Sequence, residues 1–171
     1  VAATAGGGGA EDVLPDTPSS ATTPSISATV SPPEPLLESA GRIEVETDTF
    51  RVSIDAKGGD LRQVALRDYP IAVDKPEESF KLLEESRDNF FIAQAGLLPA
   101  RESHSPAPNH YATFQAREAR YVLEEGVDEL VVPLYWRDEE GRVEVVKRYR
   151  FQRGSYTINV EYEIHNNSSE E

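Results

Sequence analysis

The 171-residue chain has no cysteine, so a disulfide framework, a thiolate nucleophile and a cysteine-ligated metal are all excluded. Methionine is absent too and the sequence begins at Val1, so a fragment or a processed piece of a longer product is expected. Positive charge is scarce: Lys and Arg number 17 against 31 Asp and Glu, a formal net charge of −14. Charge of that sign repels phosphate backbones and anionic headgroups, which disfavours nucleic-acid binding and a polybasic membrane anchor. Long apolar runs are missing as well. The longest, Leu130 to Trp136, contains Pro133 and falls far below the roughly 18 residues that a spanning helix needs.

Aromatic residues and basic residues are both missing from the first 41 positions, where Gly6 to Gly9 form a four-glycine run and six of the 12 prolines cluster. Such a segment cannot bury enough apolar surface to offset an ordering entropy of about 1–2 kcal/mol per residue. Residues 1–41 are expected to be a disordered low-complexity linker that tethers rather than packs. It lacks the basic start and apolar middle of a secretion signal, so any targeting segment is expected upstream of it.

All 14 aromatics and all 17 basic residues lie from Arg42 onward, together with 26 of the 31 acidic ones. There the apolar spacing is two rather than 3.6, the period of a half-buried strand. Ile43 and Val45 alternate with Arg42, Glu44 and Glu46, and Phe50, Val52 and Ile54 with Arg51, Ser53 and Asp55. Tyr156, Ile158, Val160, Tyr162 and Ile164 alternate with polar residues throughout, which predicts one face in the core and one in water. Leu130 to Trp136 is apolar on both faces and predicts an interior strand. Gly58-Gly59, Asp138 to Gly141 and Arg153-Gly154-Ser155 read as hairpin turns. Shorter strands are expected at Leu61 to Leu66, Phe80 to Leu83, Phe90 to Ala93, Tyr111 to Gln115 and Arg120 to Leu123. Asp74 to Ser79 reads as an acidic connection, Pro99 to Asn109 as a long surface loop, and Glu84 to Asn89 as a possible helical turn. The fold class is therefore all-β, an antiparallel sandwich over residues 42–171.

Chemical signatures are few. The three histidines are His104, His110 and His165; the first two sit six residues apart in the proline-rich loop and match no zinc-ligand spacing. Exposed loop histidines are the expectation, and His165 is polar by its place at a strand end. The acidic pairs Glu77-Glu78, Glu84-Glu85, Glu124-Glu125 and Asp138 to Glu140 contain the carboxylates a glycosidase needs, but each lies beside a turn or strand end where solvated charge is ordinary. Asn166-Asn167-Ser168 and Asn167-Ser168-Ser169 match the glycosylation acceptor pattern in a polar tail. No Gly-x-Ser-x-Gly elbow and no phosphate-binding glycine loop occurs. No catalytic, cofactor-binding or metal residue is assigned.

One distributed pattern goes further. Ile43 to Asp48, Gly58-Gly59-Asp60, Leu66-x-x-Tyr69-Pro70, Phe80 to Glu84, Ile92 to Leu97, Tyr121-Val122-Leu123 and Glu129-Leu130-x-Val132-Pro133 occur in that order. They are followed by Lys147-Arg148-Tyr149-x-Phe151, Arg153-Gly154-x-Tyr156 and Ile158-Asn159-Val160-x-Tyr162. Over residues 42–167 the chain resembles the periplasmic domain of the YidC-type membrane protein insertases of Gram-negative bacteria. The resemblance implies a truncated β-supersandwich like that of galactose mutarotases, with residues 42–171 as its N-terminal part. It also implies an inner-membrane insertase and chaperone, not an enzyme, whose transmembrane helices lie outside this sequence and whose present segment is a periplasmic accessory and interaction domain. The implied partners are the Sec translocon with its auxiliary subunits and nascent membrane proteins. Arg117, Arg120, Arg142 and Arg148 receive no role from it. A carbohydrate-binding or mutarotase-like sandwich is the alternative, because the Gly58-Gly59 turn and the β pattern suit that superfamily generally.

Overall fold

The computed structural model describes residues 37–101 and 105–168. The expected linker, all but its last five residues, lies outside that range, as do His104 and Ser169. Ten strands follow one another: β1 (Arg42–Glu46), β2 (Phe50–Asp55), β3 (Asp60–Ala72), β4 (Lys75–Glu85), β5 (Phe90–Phe91), β6 (Gln115–Ala116), β7 (Arg120–Val122), β8 (Glu129–Arg137), β9 (Val143–Gln152) and β10 (Ile158–Asn166). No helix occurs among the described residues. The stretch Glu84 to Asn89, read as a possible helical turn, is instead the end of β4 and a bend. Asp74 to Ser79 is a correction of the same kind. Only Val73 and Asp74 separate β3 from β4, and the acidic residues Glu77 and Glu78 belong to the strand.

Two sheets form the sandwich, ordered β5-β4-β3-β2-β1-β7 and β10-β9-β8-β6. All neighbouring pairs are antiparallel except β1 and β7, which run parallel with Val45 opposite Tyr121. β7 follows β6, a strand of the other sheet, after three residues, so it reaches the free edge of β1 by a crossover between sheets rather than a hairpin and its direction is not set by a tight turn. The turn chemistry read from the glycines holds. Gly58 and Gly59, at φ 72° and 59°, close the β2–β3 hairpin, and Gly141 and Gly154, at 69° and 68°, lie in the β8–β9 and β9–β10 turns. Thr47 Oγ1 accepts from the amides of Thr49 (3.2 Å) and Phe50 (2.9 Å), which satisfies the buried β1–β2 turn.

Alternation then puts one face of each sheet inside. Ile43, Val45, Phe50, Val52, Ile54, Leu61 and Val64 from the first sheet meet Val132, Leu134, Tyr149 and Phe151 from the second, with Phe114 between them. Burying each large side chain contributes about 1.5–3 kcal/mol, so this cluster supplies most of the driving force. β8 lies between β6 and β9, the interior place its two-sided apolar pattern predicts. β10 keeps the alternation, but its expected core face is only half delivered: Ile158 packs on the core, whereas Val160 and Ile164 are 41% and 52% exposed.

Candidate functional site

The inward register of β9 runs Val143, Val145, Lys147, Tyr149, Phe151, and all five are buried. A lysine therefore sits in the core with no solvent exposure at all. Its Nζ donates to the carbonyls of Gly58 (3.0 Å), Gly59 (2.8 Å) and Ala95 (3.0 Å), using all three of its protons. The Tyr149 hydroxyl donates to the Gly59 carbonyl as well. The close packing around these bonds, together with the positive φ of both residues, requires glycine at the turn. A Cβ on Gly59 would lie 2.9 Å from Leu134 Cδ1 and 3.2 Å from Lys147 Cδ, and one on Gly58 would lie 2.5 Å from Asp60 Oδ1.

Asp60, fully buried at the start of β3, accepts from Gln94 Nε2 at 2.8 Å and lies 3.4 Å from the Arg62 guanidinium. Burial raises its pKa above the ordinary carboxylate value, and Gln94, Arg62, Lys147 and His110 oppose the rise. Burial also lowers the Lys147 pKa to about 8, against the pull of Asp60. Tyr149 and Tyr162 are both pushed up by burial. A second charged group adjoins the first. Arg42 contacts Glu85 at 2.6 Å and Asp55 at 3.3 Å, while Arg62 reaches Glu85 at 3.5 Å. The amides of Ala40 and Leu37 donate to Asp55 and Glu85, so residues 37–40 are fastened to the same cluster.

Together these side chains tie four strands of one sheet, the Ala95 segment and the second sheet into one unit. Their chemistry is adhesive. Lys147 has a lowered pKa, as nucleophilic lysines do, but its ammonium is enclosed and its protons point at carbonyl oxygens, so no substrate atom can approach it. The sequence carried one signal of this arrangement that periodicity alone passes over: a lysine in the apolar register of an alternating strand.

The residues nominated by sequence are scattered. His110 is exposed, its ring tilted by 44° against that of Tyr111 with centroids 3.9 Å apart, and His165 is exposed at the end of β10, 2.9 Å from Glu163 Oε1. Among the described residues no three His, Asp or Glu side chains are placed to hold a metal. Of the acidic pairs, Glu77-Glu78 and Glu124-Glu125 are solvated as expected. Glu85 and Asp138 are not: their side chains are only 7% and 4% exposed. Glu85 faces arginines, and Asp138 Oδ1 accepts from the Val143 amide at 2.9 Å across the β8–β9 turn, which holds its carboxyl below the usual range. The four arginines without a role have structural ones. Arg117 lies over the Tyr135 ring at 5.1 Å, Arg120 pairs with Glu46, Arg142 with Asp138 and Glu140, and Arg148 with Glu163. Asn166 ends β10, its Oδ1 accepting from Ser168. An open cleft of about 460 Å³ runs beside Tyr135 and Trp136, but its polar lining is Thr113, Gln115 and the ion pair Arg137–Glu144. It brings neither a histidine nor an unpaired carboxylate to the aromatic surface.

Comparison with known proteins gives a consistent result. The family described as YidC periplasmic domain matches residues 42–171. The membrane protein insertase YidC of Thioalkalivibrio sulfidiphilus is 41% identical over 145 residues, covering 82% of this chain and 25% of that protein. The protein of the same name from Methylococcus capsulatus is 41% identical over 141 residues, with the same two shares. That of Nitrosococcus oceani is 35% identical over 168 residues, 98% of this chain and 30% of its own length. The chain thus spans about a quarter of the length of the curated relatives it matches.

Proposed function

This chain belongs to the YidC periplasmic domain family, and from that membership we propose that it is part of an inner-membrane insertase and chaperone. Residues 42–171 are the N-terminal part of its periplasmic sandwich, and residues 1–41 are the linker that precedes it. Insertion is a non-covalent process in which polar parts of a client pass a hydrocarbon layer where unpaired charges and peptide groups are costly. That work belongs to membrane-embedded parts of the protein. The present domain acts as an accessory that contacts the Sec translocon's auxiliary subunits while nascent membrane proteins are handled elsewhere. The observation that carries this reading is the extent of the family match: it covers the whole sandwich, Arg42 included, rather than one motif. The buried charges agree with it, because Lys147, Asp60, Arg62 and Glu85 hold strands together and leave no reactive group facing a cleft.

Two measurements test the proposal in the full-length protein. A cysteine placed at Val73, fully exposed between β3 and β4, should react with a membrane-impermeant maleimide from the periplasmic side. Reaction only after the inner membrane is broken would refute the location. Replacement of residues 42–168 by a flexible linker should leave insertion of a protease-protected client within about threefold of the intact protein, while cross-links to the translocon's auxiliary subunits disappear. Retained cross-links, or loss of insertion by a stably membrane-integrated variant, would refute the accessory role.

A further inference from the structure

Antiparallel neighbours bring the start of β1, the end of β2, the start of β3 and the end of β4 to one end of the first sheet. Arg42, Asp55, Asp60 and Glu85 come from those four strand ends. Arg62 joins them through an irregularity in register. Ser53 pairs with Gln63 and Ile54 with Leu61, so Arg62 is an extra residue in β3, and the bulge turns a residue only 3% exposed toward Asp60 and Glu85.

The residues just before β1, 37–41, cross these strand ends. Gly41, at φ 125°, turns the chain away from β1, and its carbonyl accepts from the Ala56 amide at 2.8 Å. The Ala40 amide donates to Asp55 Oδ1 at 3.1 Å, at the end of β2, and the Leu37 amide to Glu85 Oε1 at 3.1 Å, at the end of β4. The Glu38 carboxylate pairs with Lys57. All these contacts are polar. Glu38 to Gly41 are exposed and only Leu37 is half-buried, so the segment is fastened by a few backbone bonds with little apolar burial, which places it at the low end of local stability. Its acceptors are held separately: Arg42 faces both Asp55 and Glu85, Arg62 faces Glu85, and the Lys57 amide donates to Asp55 Oδ1 at 2.8 Å. The carboxylates therefore keep their places when the segment lifts away.

We propose that residues 37–41 form a clasp that opens and recloses on Asp55 and Glu85 while the sheet stays folded, and so sets the point at which the linker leaves the sandwich. This rests on the reading of the residues before them as a linker to a membrane-embedded part. Closed, the clasp carries the exit point across the sheet end from β1 to β4. Open, it returns five residues to the tether, which at about 3.3–3.6 Å per residue adds up to about 17 Å of reach. One joint thus gives an accessory domain two tether lengths at which to meet a partner. Gly41 is the pivot: a Cβ there would meet nothing within 4 Å, so the glycine answers to the backbone turn and not to crowding.

Amide hydrogen exchange in the full-length protein, read residue by residue, tests the proposal. The Leu37 and Ala40 amides should exchange at least about tenfold more slowly than freely solvated amides, yet at least about tenfold faster than the ladder amides of β2. Gly41→Ala strains the turn, and Ala40→Pro removes one donor; neither touches a carboxylate. Each variant should speed exchange at Leu37 by about tenfold or more and leave the β2 ladder unchanged. Cleavage after Glu38 by a glutamate-specific protease should rise by a similar factor. Free exchange of Leu37 in the wild type, exchange there as slow as in the β2 ladder, or a Leu37 amide that neither variant moves would each overturn the clasp. Loss of β2 protection together with that of Leu37 would show one cooperative unit and overturn it equally. An insertion-competent protein whose Leu37 amide exchanges freely removes this inference and spares the proposed function; a working clasp in a protein with neither insertion activity nor translocon cross-links does the reverse.

Discussion

Replacement of Lys147 by Met is the perturbation on which the structure makes its sharpest demand. Met matches the length of the lysine stem, so the hydrophobic contacts with Phe114 and Tyr149 survive and only the ammonium is lost. Three carbonyls lose a donor. Gly59 keeps the Tyr149 hydroxyl and Ala95 is near solvent, but the Gly58 carbonyl is left buried without this partner. An orphaned buried acceptor costs about 1–3 kcal/mol and each weaker loss about 1 kcal/mol. Against this, the burial cost of the charge is relieved. The pKa of about 8 lies roughly 2.5 below the ordinary lysine value of 10.5 and corresponds to a net cost on the order of 3 kcal/mol at 1.36 kcal/mol per unit, the opposing pull of Asp60 included. The three carbonyl bonds favour the charged amine and offset part of it. Asp60 also loses the nearest compensating charge after Arg62, and breaking buried ionic groups one partner at a time is strongly destabilising. The expected outcome is a loss of about 2–4 kcal/mol, a large share of a stability that is typically 5–15 kcal/mol.

Urea unfolding followed through Trp136, the single tryptophan, measures this directly. The double variant Lys147→Met with Asp60→Asn should recover about 0.5–3 kcal/mol of the loss. The pH dependence gives an independent check. Because the folded pKa lies below the unfolded one, the unfolded chain holds a proton that the folded chain has released between about pH 8 and 10.5, so this group makes stability rise with pH in that window. The rise should be present in the wild type and missing from Lys147→Met. A variant as stable as the wild type or more so, together with an unchanged pH profile, would refute the view that Lys147 fastens the two sheets.

Glycine substitutions separate strain from crowding. Gly59→Ala meets both a positive φ and a close neighbour and should lose about 2–4 kcal/mol, whereas Gly154→Ala has a φ of 68° with nothing within 4 Å and should lose only about 1–2 kcal/mol. Equal losses in thermal unfolding would show that the contact with Leu134 is unimportant. Thr47→Val should cost about 1–2 kcal/mol in the same assay, since two turn amides lose their acceptor. Asp138, held below the usual carboxylate range chiefly by the Val143 amide, contributes stability that is present above the unfolded pKa and lost as pH falls through the folded one. Asp138→Asn should therefore flatten the acid limb of the stability profile, and an unchanged limb would show that the turn does not depend on the charge.

Periodicity made much of the architecture legible. Alternation in Arg42 to Asp55, Leu130 to Trp136 and Tyr156 to Ile164 marks strands because a pleated chain has no other way to bury one side. Gly58-Gly59, Gly141 and Gly154 mark the turns because only glycine adopts positive φ without cost. Where the signal was weak, local reading failed for an identifiable reason. The acidic run Glu77-Glu78 resembles a loop, but it is carried into β4 by pairing with β3, where Pro70 lies opposite Ser79. Glu84 and Glu85 resemble a helical start, yet Glu85 is drawn into a strand by Arg42 and Arg62, which come from other parts of the chain. The parallel contact of β7 with β1 joins residues more than 70 positions apart and has no local signature.

By itself, then, the sequence determined the all-β class, the turns, the charge of the surface and the family, because each is written in spacing or in residues that tolerate no substitute. Tertiary structure alone decided which charges are buried and that Lys147 holds the Gly58-Gly59 turn rather than reacting. Those outcomes depend on which strands lie opposite one another, and the distance between two sheets is a property that no alternation along a single strand encodes.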